Sequence, residues 1–371
     1  MPEALQSILP QFFPEGVLSC SRYGCGHINE TYLVTARNGK RYILQKVSTL
    51  AFPDVKGLQE NITAVTAHLR GKNPDPRRTL HLVPTVTGES WYALGPDSNW
   101  RVFDYIEDSI CLEAPRCPED FYESALAFGG FQQALSDFPA ETLHETIRDF
   151  HNTPARFRQF KEAVARDPLG RAAEVRQEID FALAHEQVGS ALVDQLAQGV
   201  LPLRVTHNDT KLNNVMLDAR TQEPLCVIDL DTTMPGLSAY DFGDSIRFGA
   251  ATAPEDEQDL SKVEMDLDLY RIFTRGFLKA CPALTEAERA SLPLGALVMT
   301  LECGIRFLAD HIDGDRYFGI HREGQNLDRA RTQFKLVADM ENKWEDMKKI
   351  VEEEYSNMQK PVLVVMAAGM G

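Results

Sequence analysis

Polar side chains with the spacing of a phosphoryl-transfer centre lie close together in one stretch of the sequence. His207, Asp209 and Asn214 form the pattern H-x-D-x(4)-N, and Asp229 follows Asp209 by twenty residues. The Asp209 carboxylate suits the task of accepting a proton from an acceptor hydroxyl and aiming it, so we expect it to be catalytic. Because Mg²⁺ prefers oxygen ligands, we expect Asp229 and the side-chain oxygen of Asn214 to hold that metal on the phosphates.

The pattern H-x-D-x(4)-N alone is moderately common by chance. Here it is joined to the apolar run Leu225–Ile228, which leads directly into Asp229. Such a run is a candidate buried strand, and a carboxylate that leaves a buried strand is held rigidly. The combination favours a phosphotransferase site over a coincidence of residues.

A β-hairpin is predicted near the N-terminus, ahead of this centre. The β-rich runs 31–36 and 41–47 flank Asn38-Gly39, a strong hairpin signal. Gly24 and Gly26 then lie at the start of an antiparallel sheet, where backbone amides of a glycine turn can cover nucleotide phosphates. The alternative is that both glycines only form a turn.

Lys46 lies in the second strand of the predicted hairpin, where we expect it to clamp phosphates. A lysine on such a strand is more often an edge or solvent residue. Residues 57–70 carry the apolar stripe of a helix, and Glu60 near its start could pair with Lys46. The alternative for Glu60 is an ordinary exposed carboxylate.

The rest of the chain predicts a β-rich segment followed by helices. Three β-like runs lie between 77 and 105, the first around 81–83. From Pro118 the pattern is helical, with an apolar central helix over 292–308 and an amphipathic stretch over 327–358. The fold class is therefore α+β.

Composition bounds the partners and the compartment. The 371 residues can build two lobes, and the net charge of −17 argues against nucleic acid or an anionic membrane as partner. Seven cysteines show no zinc spacing, and no signal peptide or stretch of 18 apolar residues is present. We expect a cytoplasmic protein with reduced thiols.

Four segments together resemble the aminoglycoside phosphotransferase/choline kinase superfamily, and most closely the N-acetylhexosamine 1-kinases. They are 23–32 (YGCGHINETY), Lys46, 206–214 (THNDTKLNN) and 228–244. The resemblance implies a protein-kinase-like bilobal fold, with a small antiparallel-sheet lobe over 1–106 and a large, mainly helical lobe over 107–358. It also implies phosphorylation of the anomeric hydroxyl of N-acetylglucosamine or N-acetylgalactosamine by ATP with Mg²⁺.

The resemblance also assigns roles to single residues. Lys46 would hold the α- and β-phosphates, and Asp241 and His207 would brace the catalytic loop. The sugar would be bound by Asp209, His27 and Arg306, with further candidates Asp310, Tyr317 and Trp344. Arg306 has separate support, because an unpaired arginine after a long apolar helix would be costly; its alternative is an ion-paired or surface residue.

The last residues do not fit the kinase pattern. Residues 360–371 contain an abrupt apolar run ending in A-A-G-M-G, similar to the opening of sugar nucleotidyltransferases. We expect this to be the truncated start of a fused domain; the alternative is a terminal strand of the same fold. Two other functions stay open: a kinase for choline, an aminoglycoside or an amino acid, and a non-catalytic kinase-like module.

Overall fold

The computed structural model describes residues 3–24 and 28–359. Its N-terminal part is an antiparallel sheet of five strands in the order β1-β2-β3-β5-β4. A short helix, α1, packs on one face and a longer helix, α2, follows β3. The bounds are α1 Glu3–Phe12, β1 Val17–Arg22, β2 Glu30–Ala36, β3 Arg41–Val47, α2 Val55–Lys72, β4 Tyr92–Gly95 and β5 Ser98–Asp104.

The predicted hairpin is confirmed and forms the centre of this sheet. β2 and β3 pair in register from Glu30–Lys46 to Thr35–Arg41, and Gly39 takes a positive φ of 81° in the turn. One face of the sheet buries Val34, Leu44 and side chains of α1 in a small core. This alternation fixes the face on which each strand residue lies.

The C-terminal part is mainly helical, which confirms the α+β class with a small sheet lobe and a large helical lobe. Its helices are α3 Pro118–Ala134, α4 Thr153–Arg166, α5 Arg176–Ala184, α6 Glu186–Ala197, α7 Ser238–Gly249, α8 Leu267–Ala280, α9 Glu286–Asp313, α10 Gln325–Asn342 and α11 Trp344–Gln359. Short strands β6 Ser109–Cys111, β7 Arg204–Thr206, β8 Val215–Asp218, β9 Pro224–Val227 and β10 Met234–Gly236 complete the described chain.

Helix α9 is the central element of the large lobe. It starts with a capping box formed by Thr285 and Glu288, which satisfies backbone amides at its N-terminus. Its length and composition would allow a membrane span, yet 78% of its most apolar window is buried inside the protein. Gly243 of α7 and Gly295 of α9 meet where a Cβ would collide with backbone, so α7 lies directly on α9.

Two small antiparallel sheets carry the site between α6 and α7. β10 pairs with β7, and β8 lies between β6 and β9. The H-x-D-x(4)-N segment connects β7 to β8, and Asp229 follows β9 after Ile228. Because β8 and β9 pair, the H-x-D-x(4)-N segment before β8 and Asp229 after β9 lie at the same edge of this sheet.

The structure corrects three details of the sequence analysis. The run around 81–83 forms only an isolated bridge between Leu82 and Phe103. The stretch 327–358 is two helices, since α10 ends before Lys343. Arg306 lies within α9 rather than after it.

Two parts of the sequence analysis fall outside the described residues. They are Gly26 with His27 in the glycine turn, and the nucleotidyltransferase-like segment 360–371. The six cysteines of the described ranges are free thiols.

Candidate active site

Asp241 holds the predicted catalytic loop, which connects β7 to β8, through hydrogen bonds to its backbone. This carboxylate is fully buried and accepts hydrogen bonds from the backbone N–H groups of His207 at 2.9 Å and Asn208 at 2.8 Å. The side-chain amide of Gln132 on α3 donates a third at 2.8 Å. Loop, α3 and α7 are thus tied through one side chain.

His207 is a second brace, and its hydrogen bonds fix its protonation. Its Nε2 lies 2.8 Å from the carbonyl oxygen of Ile228, and its Nδ1 accepts from the backbone N–H of Asp209 at 3.3 Å. Since a carbonyl can only accept, Nε2 carries the proton and Nδ1 does not. The ring is also buried against Phe128 and Phe131, so it supports the loop and is not placed to act as a base.

Asp209 and Asn214 are brought into contact by the short helical turn that ends the loop. The Asn214 amide nitrogen donates to the Asp209 carbonyl at 2.8 Å and to its carboxylate at 3.0 Å. This leaves the amide oxygen of Asn214 as the atom that can face a cation. The Asp209 side chain keeps 29% of its surface exposed, as access for an acceptor requires.

Lys211 is a site residue that the sequence analysis missed. Its Nζ lies 3.0 Å from Asp209 Oδ1. Burial disfavours its charged form, but the carboxylates of Asp209 and Asp244 outweigh that effect and raise the pKa of Lys211. A charged ammonium group therefore stays beside the Asp209 carboxylate, the predicted catalytic group. Its position two residues after Asp209, inside the motif, was the available signal.

Asp229 is exposed at the end of the β9 segment, with its backbone in the left-handed region at a φ of 56°. Partial removal from bulk water, followed by the carboxylates of Asp231 and Asp209, raises the pKa of Asp229 to about 6. Like charges gathered in this way destabilise one another until a cation joins them.

The donor set fits a divalent cation of the magnesium type. Asn214 offers an amide oxygen and Asp229 a carboxylate. In residues 3–24 and 28–359 no group of three or more His, Cys, Asp or Glu side chains is arranged to hold a metal alone. Mg²⁺ commonly binds through one or two carboxylates with phosphate and water completing its shell, so an incomplete protein cage is expected.

Lys46 on β3 has a carboxylate neighbour different from the predicted one. Its Nζ lies 3.6 Å from Glu30 Oε1, and its side chain is 33% exposed. Glu60 instead pairs with His144 at 2.7 Å and Lys56 at 3.7 Å, so the predicted Lys46–Glu60 pair is wrong. The reason is helical geometry, because Glu60 lies about 200° around α2 from the buried Leu58.

The glycine turn is described only at its first glycine. Gly24 has a φ of 74°, and a Cβ at this position would meet nothing within 4 Å. The constraint on Gly24 is therefore conformational, since few side-chain-bearing residues adopt such a φ.

The predicted sugar-binding residues are only partly gathered. The Arg306 guanidinium lies over three aromatic rings, with centroids at 5.7 Å for Phe150, 6.0 Å for Tyr317 and 5.4 Å for Phe318. Tyr317 is 72% exposed and free to meet a ligand. Glu302, one turn before Arg306 on α9, is engaged by His151 and Thr153.

Arg156 is a second missed residue on this side. It donates to the carbonyl oxygen of Phe150 at 2.9 Å and 3.2 Å. Burial and the nearby charge of Arg306 lower the pKa of Arg156. The two guanidiniums therefore repel each other beside the aromatic rings, and no sequence pattern pointed to this pairing. The carboxylates of Glu302 and Asp149 act on Arg156 in the opposite direction, but they are paired with His151 and Arg148.

Asp310 has a structural role rather than the predicted contact with a sugar. Its carboxylate accepts from the backbone N–H groups of Arg316, Tyr317 and Phe318 at 2.9, 2.8 and 2.9 Å. The Asn326 amide adds a fourth hydrogen bond at 3.0 Å. Two carboxylate oxygens have about four acceptor sites, so none is left, and Asp310 instead orders the loop that carries Tyr317.

Trp344 does not belong to this group, which corrects the prediction. It starts α11, beyond the end of α10, and its ring packs against the main core of the large lobe. Asn326, which contacts Asp310, lies at the other end of α10. Helix α10 has eighteen residues and is therefore about 27 Å long. Its first turn lies beside Asp310, one turn after Arg306 on α9, whereas Trp344 lies beyond its other end and is remote from Arg306.

Comparisons with known proteins agree with this architecture. Residues 19–278 match the profile of the Phosphotransferase enzyme family. The structure is similar to a microcompartment-associated aminopropanol kinase with a TM-score of 0.63 and 17% identity, covering 93% of this chain and 98% of that one. A choline kinase from Cryptosporidium parvum Iowa II gives a TM-score of 0.58 and 13% identity, covering 94% and 97%.

A third similar structure is an amicoumacin kinase in complex with AMP-PNP, Ca²⁺ and Ami. It has a TM-score of 0.58 and 14% identity, and the match covers 91% of this chain and 92% of that one. At these identities the structural likeness establishes the shared kinase-like fold alone. Since the matched profile spans residues 19–278 of the 371-residue chain, this protein belongs to the phosphotransferase enzyme family.

Proposed function

We propose that this protein is a cytoplasmic kinase that uses ATP and Mg²⁺ to phosphorylate the anomeric hydroxyl of N-acetylhexosamines. Family membership supports the reaction class. The acceptor is supported by the residues around Arg306, and the motifs G-H-I-N-E-T-Y and H-N-D-T-K-L-N-N resemble those of sugar 1-kinases.

The residues of the catalytic loop supply proton acceptance and charge. Asp209 accepts the proton of the anomeric hydroxyl as its oxygen attacks the γ-phosphorus, and the bond from that phosphorus to the bridging oxygen breaks to release ADP. The anomeric hydroxyl is the most acidic hydroxyl of a sugar, so a carboxylate base suffices. Lys211, held at 3.0 Å from Asp209, is placed to balance negative charge on the transferred group.

The nucleotide side is assigned to residues of both lobes. Lys46 would contact the α- and β-phosphates from β3, and Gly24 and Gly26 would cover them. Asn214 and Asp229 would hold Mg²⁺, which, when bound, neutralises charge on the phosphate oxygens.

The observation that carries the choice of acceptor is the charge of the Arg306 region. Cationic acceptors such as choline or aminoglycosides need acidic or free aromatic linings. Here the Arg306 guanidinium already lies over the rings of Phe150, Tyr317 and Phe318, and Arg156 adds a second positive charge that would repel a cation approaching the exposed Tyr317 ring. A neutral acetamido sugar avoids that repulsion, and its carbonyl oxygen can accept from a guanidinium.

A second candidate function keeps the reaction and changes the acceptor to a hydroxyl-bearing amino acid. The same pair of guanidiniums favours it, because arginine binds carboxylates through two parallel hydrogen bonds. A non-catalytic module is the least favoured alternative, since Lys46, Asp209, Asn214 and Asp229 are all present.

The test is ADP production with a matched panel of acceptors. The panel contains N-acetylglucosamine, N-acetylgalactosamine, glucose, serine, choline and an aminoglycoside. We expect turnover with the two acetamido sugars and none above the ATP-hydrolysis background with choline or the aminoglycoside. Turnover confined to serine would support the second candidate, and turnover confined to the cationic acceptors would overturn the proposed acceptor class.

A further inference from the structure

A buried ion pair joins the small lobe to the segment that carries Asp229. Arg101 on β5 meets Asp231 through two contacts, Nη1 to Oδ1 at 2.6 Å and Nη2 to Oδ2 at 2.9 Å. Each side chain keeps only 2% of its surface exposed. The Nη2 contact is a charge-assisted hydrogen bond and the Nη1 contact an ion pair, so the small lobe is joined to the Asp229 segment at this point.

Arg101 is itself fixed by its own lobe. Its Nε and Nη2 donate to the Gln45 side-chain oxygen at 3.0 Å and 2.8 Å. The Gln45 amide in turn donates to Thr31 Oγ1 at 3.2 Å. Through these hydrogen bonds, the Arg101 guanidinium links strands β2, β3 and β5 to Asp231.

A third arm reaches the same carboxylate from the glycine-turn end of β2. Asn29 Nδ2 donates to Asp231 Oδ2 at 2.6 Å. The Asn29 side-chain oxygen accepts from the backbone N–H of Ser48, just beyond β3, at 2.9 Å. Asn29 precedes the start of β2 and Ser48 follows the end of β3, so Asp231 is connected to the open end of the β2–β3 hairpin, opposite the Gly39 turn.

The Asp231 carboxylate is engaged by the small lobe. Its Oδ2 accepts from Asn29 and Arg101, and its Oδ1 lies 2.6 Å from Arg101 Nη1 as an ion-pair contact without a hydrogen bond. Asp231 lies in the short helical turn Leu230–Thr232, and Asp229 is the residue directly before that turn. The position of the Asp229 carboxylate therefore depends on how Asp231 is anchored.

We propose that Asp231 is a positioning residue that, gripped by Arg101 and Asn29, sets Asp229 against the nucleotide-binding sheet for magnesium. The inference rests on the proposed function, because it takes Asp229 to hold Mg²⁺. The three side chains Asn29, Arg101 and Asp231 form an interlobe clasp. Loss of the clasp lets the Asp229 segment and the sheet move independently, which weakens metal-dependent nucleotide binding without removing any ligand.

The rival explanation is that the ion pair only stabilises the fold, and paired variants separate the two. Asp231→Asn removes the charge and leaves the buried Arg101 guanidinium with the neutral Gln45 contact but no carboxylate partner. The double variant Arg101→Met with Asp231→Leu replaces the pair by apolar groups of similar size, an exchange that often preserves stability. Glu354→Gln is the matched control, since Glu354 is a 3% exposed carboxylate bound by Arg271 and Arg275 in the large lobe.

The measurement is binding of a non-hydrolysable ATP analogue as Mg²⁺ is titrated, followed by calorimetry, with melting temperatures recorded in parallel. No acceptor is present, so the result does not depend on which hydroxyl is phosphorylated. We expect Asp231→Asn and the double variant to need about 10–100-fold more Mg²⁺ for half-saturation, as is typical when groups that orient a metal ligand are lost. The double variant should melt near the wild type, and Glu354→Gln should melt lower with unchanged Mg²⁺ dependence.

Wild-type Mg²⁺ dependence in the double variant would overturn the clasp and leave the ion pair a stabilising contact. An equal shift in Glu354→Gln would overturn it too, because the shift would then follow from lost stability. If Asp231→Asn does not fold, the double variant decides alone. A wild-type protein that binds the nucleotide without any response to Mg²⁺ would overturn the metal assignment, and the clasp with it.

Discussion

The two sides of the candidate site differ in how their side chains are held. On the phosphate side, buried hydrogen bonds of Asp241 and His207 fix the catalytic loop before any ligand arrives. On the proposed acceptor side, the Arg306 guanidinium lies over the rings of Phe150, Tyr317 and Phe318, and the Tyr317 side chain is exposed. We infer that the groups on the phosphate side are fixed before ligands bind. The side chains proposed to recognise the acceptor are less constrained, so a bound acceptor can order them.

The largest effect is expected on the phosphate side, from loss of the base. Asp209→Asn keeps the shape of the side chain and removes its ability to take a proton. We expect kcat to fall by about 10²–10⁴-fold or more, with nucleotide binding retained. Steady-state ADP production and calorimetry check the two parts.

The control for this variant is Asp346→Asn, which changes an exposed aspartate at the start of α11. It should leave both measurements unchanged. Near wild-type turnover in Asp209→Asn would remove Asp209 from the catalytic role.

The next effect concerns the metal ligand. Asp229→Ala should abolish metal-dependent nucleotide binding, and Asp229→Asn should come close to doing so. The asparagine variant is the sharper test, because Asn tolerates the left-handed φ of 56° better than Ala does. In the absence of metal it should melt no lower than the wild type, since one of three crowded carboxylates is gone. Unchanged Mg²⁺-nucleotide binding in calorimetry would contradict the assignment.

On the acceptor side, we expect Arg306→Lys to act through recognition rather than chemistry. A lysine keeps the charge but loses the planar group that lies over three rings. Hydrogen bonds to charged groups contribute about 1.5–3 kcal/mol, so kcat/KM for the acceptor should fall roughly 10- to 100-fold while the KM for ATP holds.

Arg289→Lys is a control on the same helix, because Arg289 also lies over an aromatic ring, that of Tyr355 at 3.8 Å. It should leave acceptor kinetics unchanged. Equal losses in the two variants would show that a general disturbance of α9, and not the site, is being measured.

The smallest effects test the two corrected assignments. Asp310→Asn should lower the free energy of unfolding by roughly 1–3 kcal/mol, because one of the two acceptor oxygens that hold the 316–318 loop is lost. It should raise the acceptor KM only through disorder around Tyr317. Trp344→Ala should cost about 0.5–3 kcal/mol of stability and leave the acceptor KM unchanged. Chemical denaturation and acceptor titrations check both, and a large KM effect in Trp344→Ala would restore it to the site.

The contrast between the two sides also explains what the sequence could predict. His207, Asp209 and Asn214 lie on one loop, and Asp229 follows a strand paired beside it, so spacing alone predicted that they meet. The β2–β3 hairpin was equally predictable from Asn38-Gly39 and the β-rich runs on either side of it. The fold class and the superfamily were confirmed for the same reason, whereas the N-acetylhexosamine specificity stays a prediction.

What the sequence could not predict depends on contacts between distant segments. Arg156 and Arg306 belong to α4 and α9, and only helix packing brings them near each other. Asp310 has a residue type suited to a ligand, but the loop after α9 folds back and uses all of its acceptor sites. Glu60 was misassigned because it lies about 200° around α2 from the buried Leu58 and pairs with His144.

The most direct test of the proposed reaction is phosphorus-31 NMR of the product formed from N-acetylglucosamine and ATP. We predict one new phosphomonoester whose phosphorus couples to the anomeric proton, formed by the wild type and lost in Asp209→Asn over the same time. Phosphate on another sugar hydroxyl, or ADP and inorganic phosphate without any phosphosugar, would contradict it.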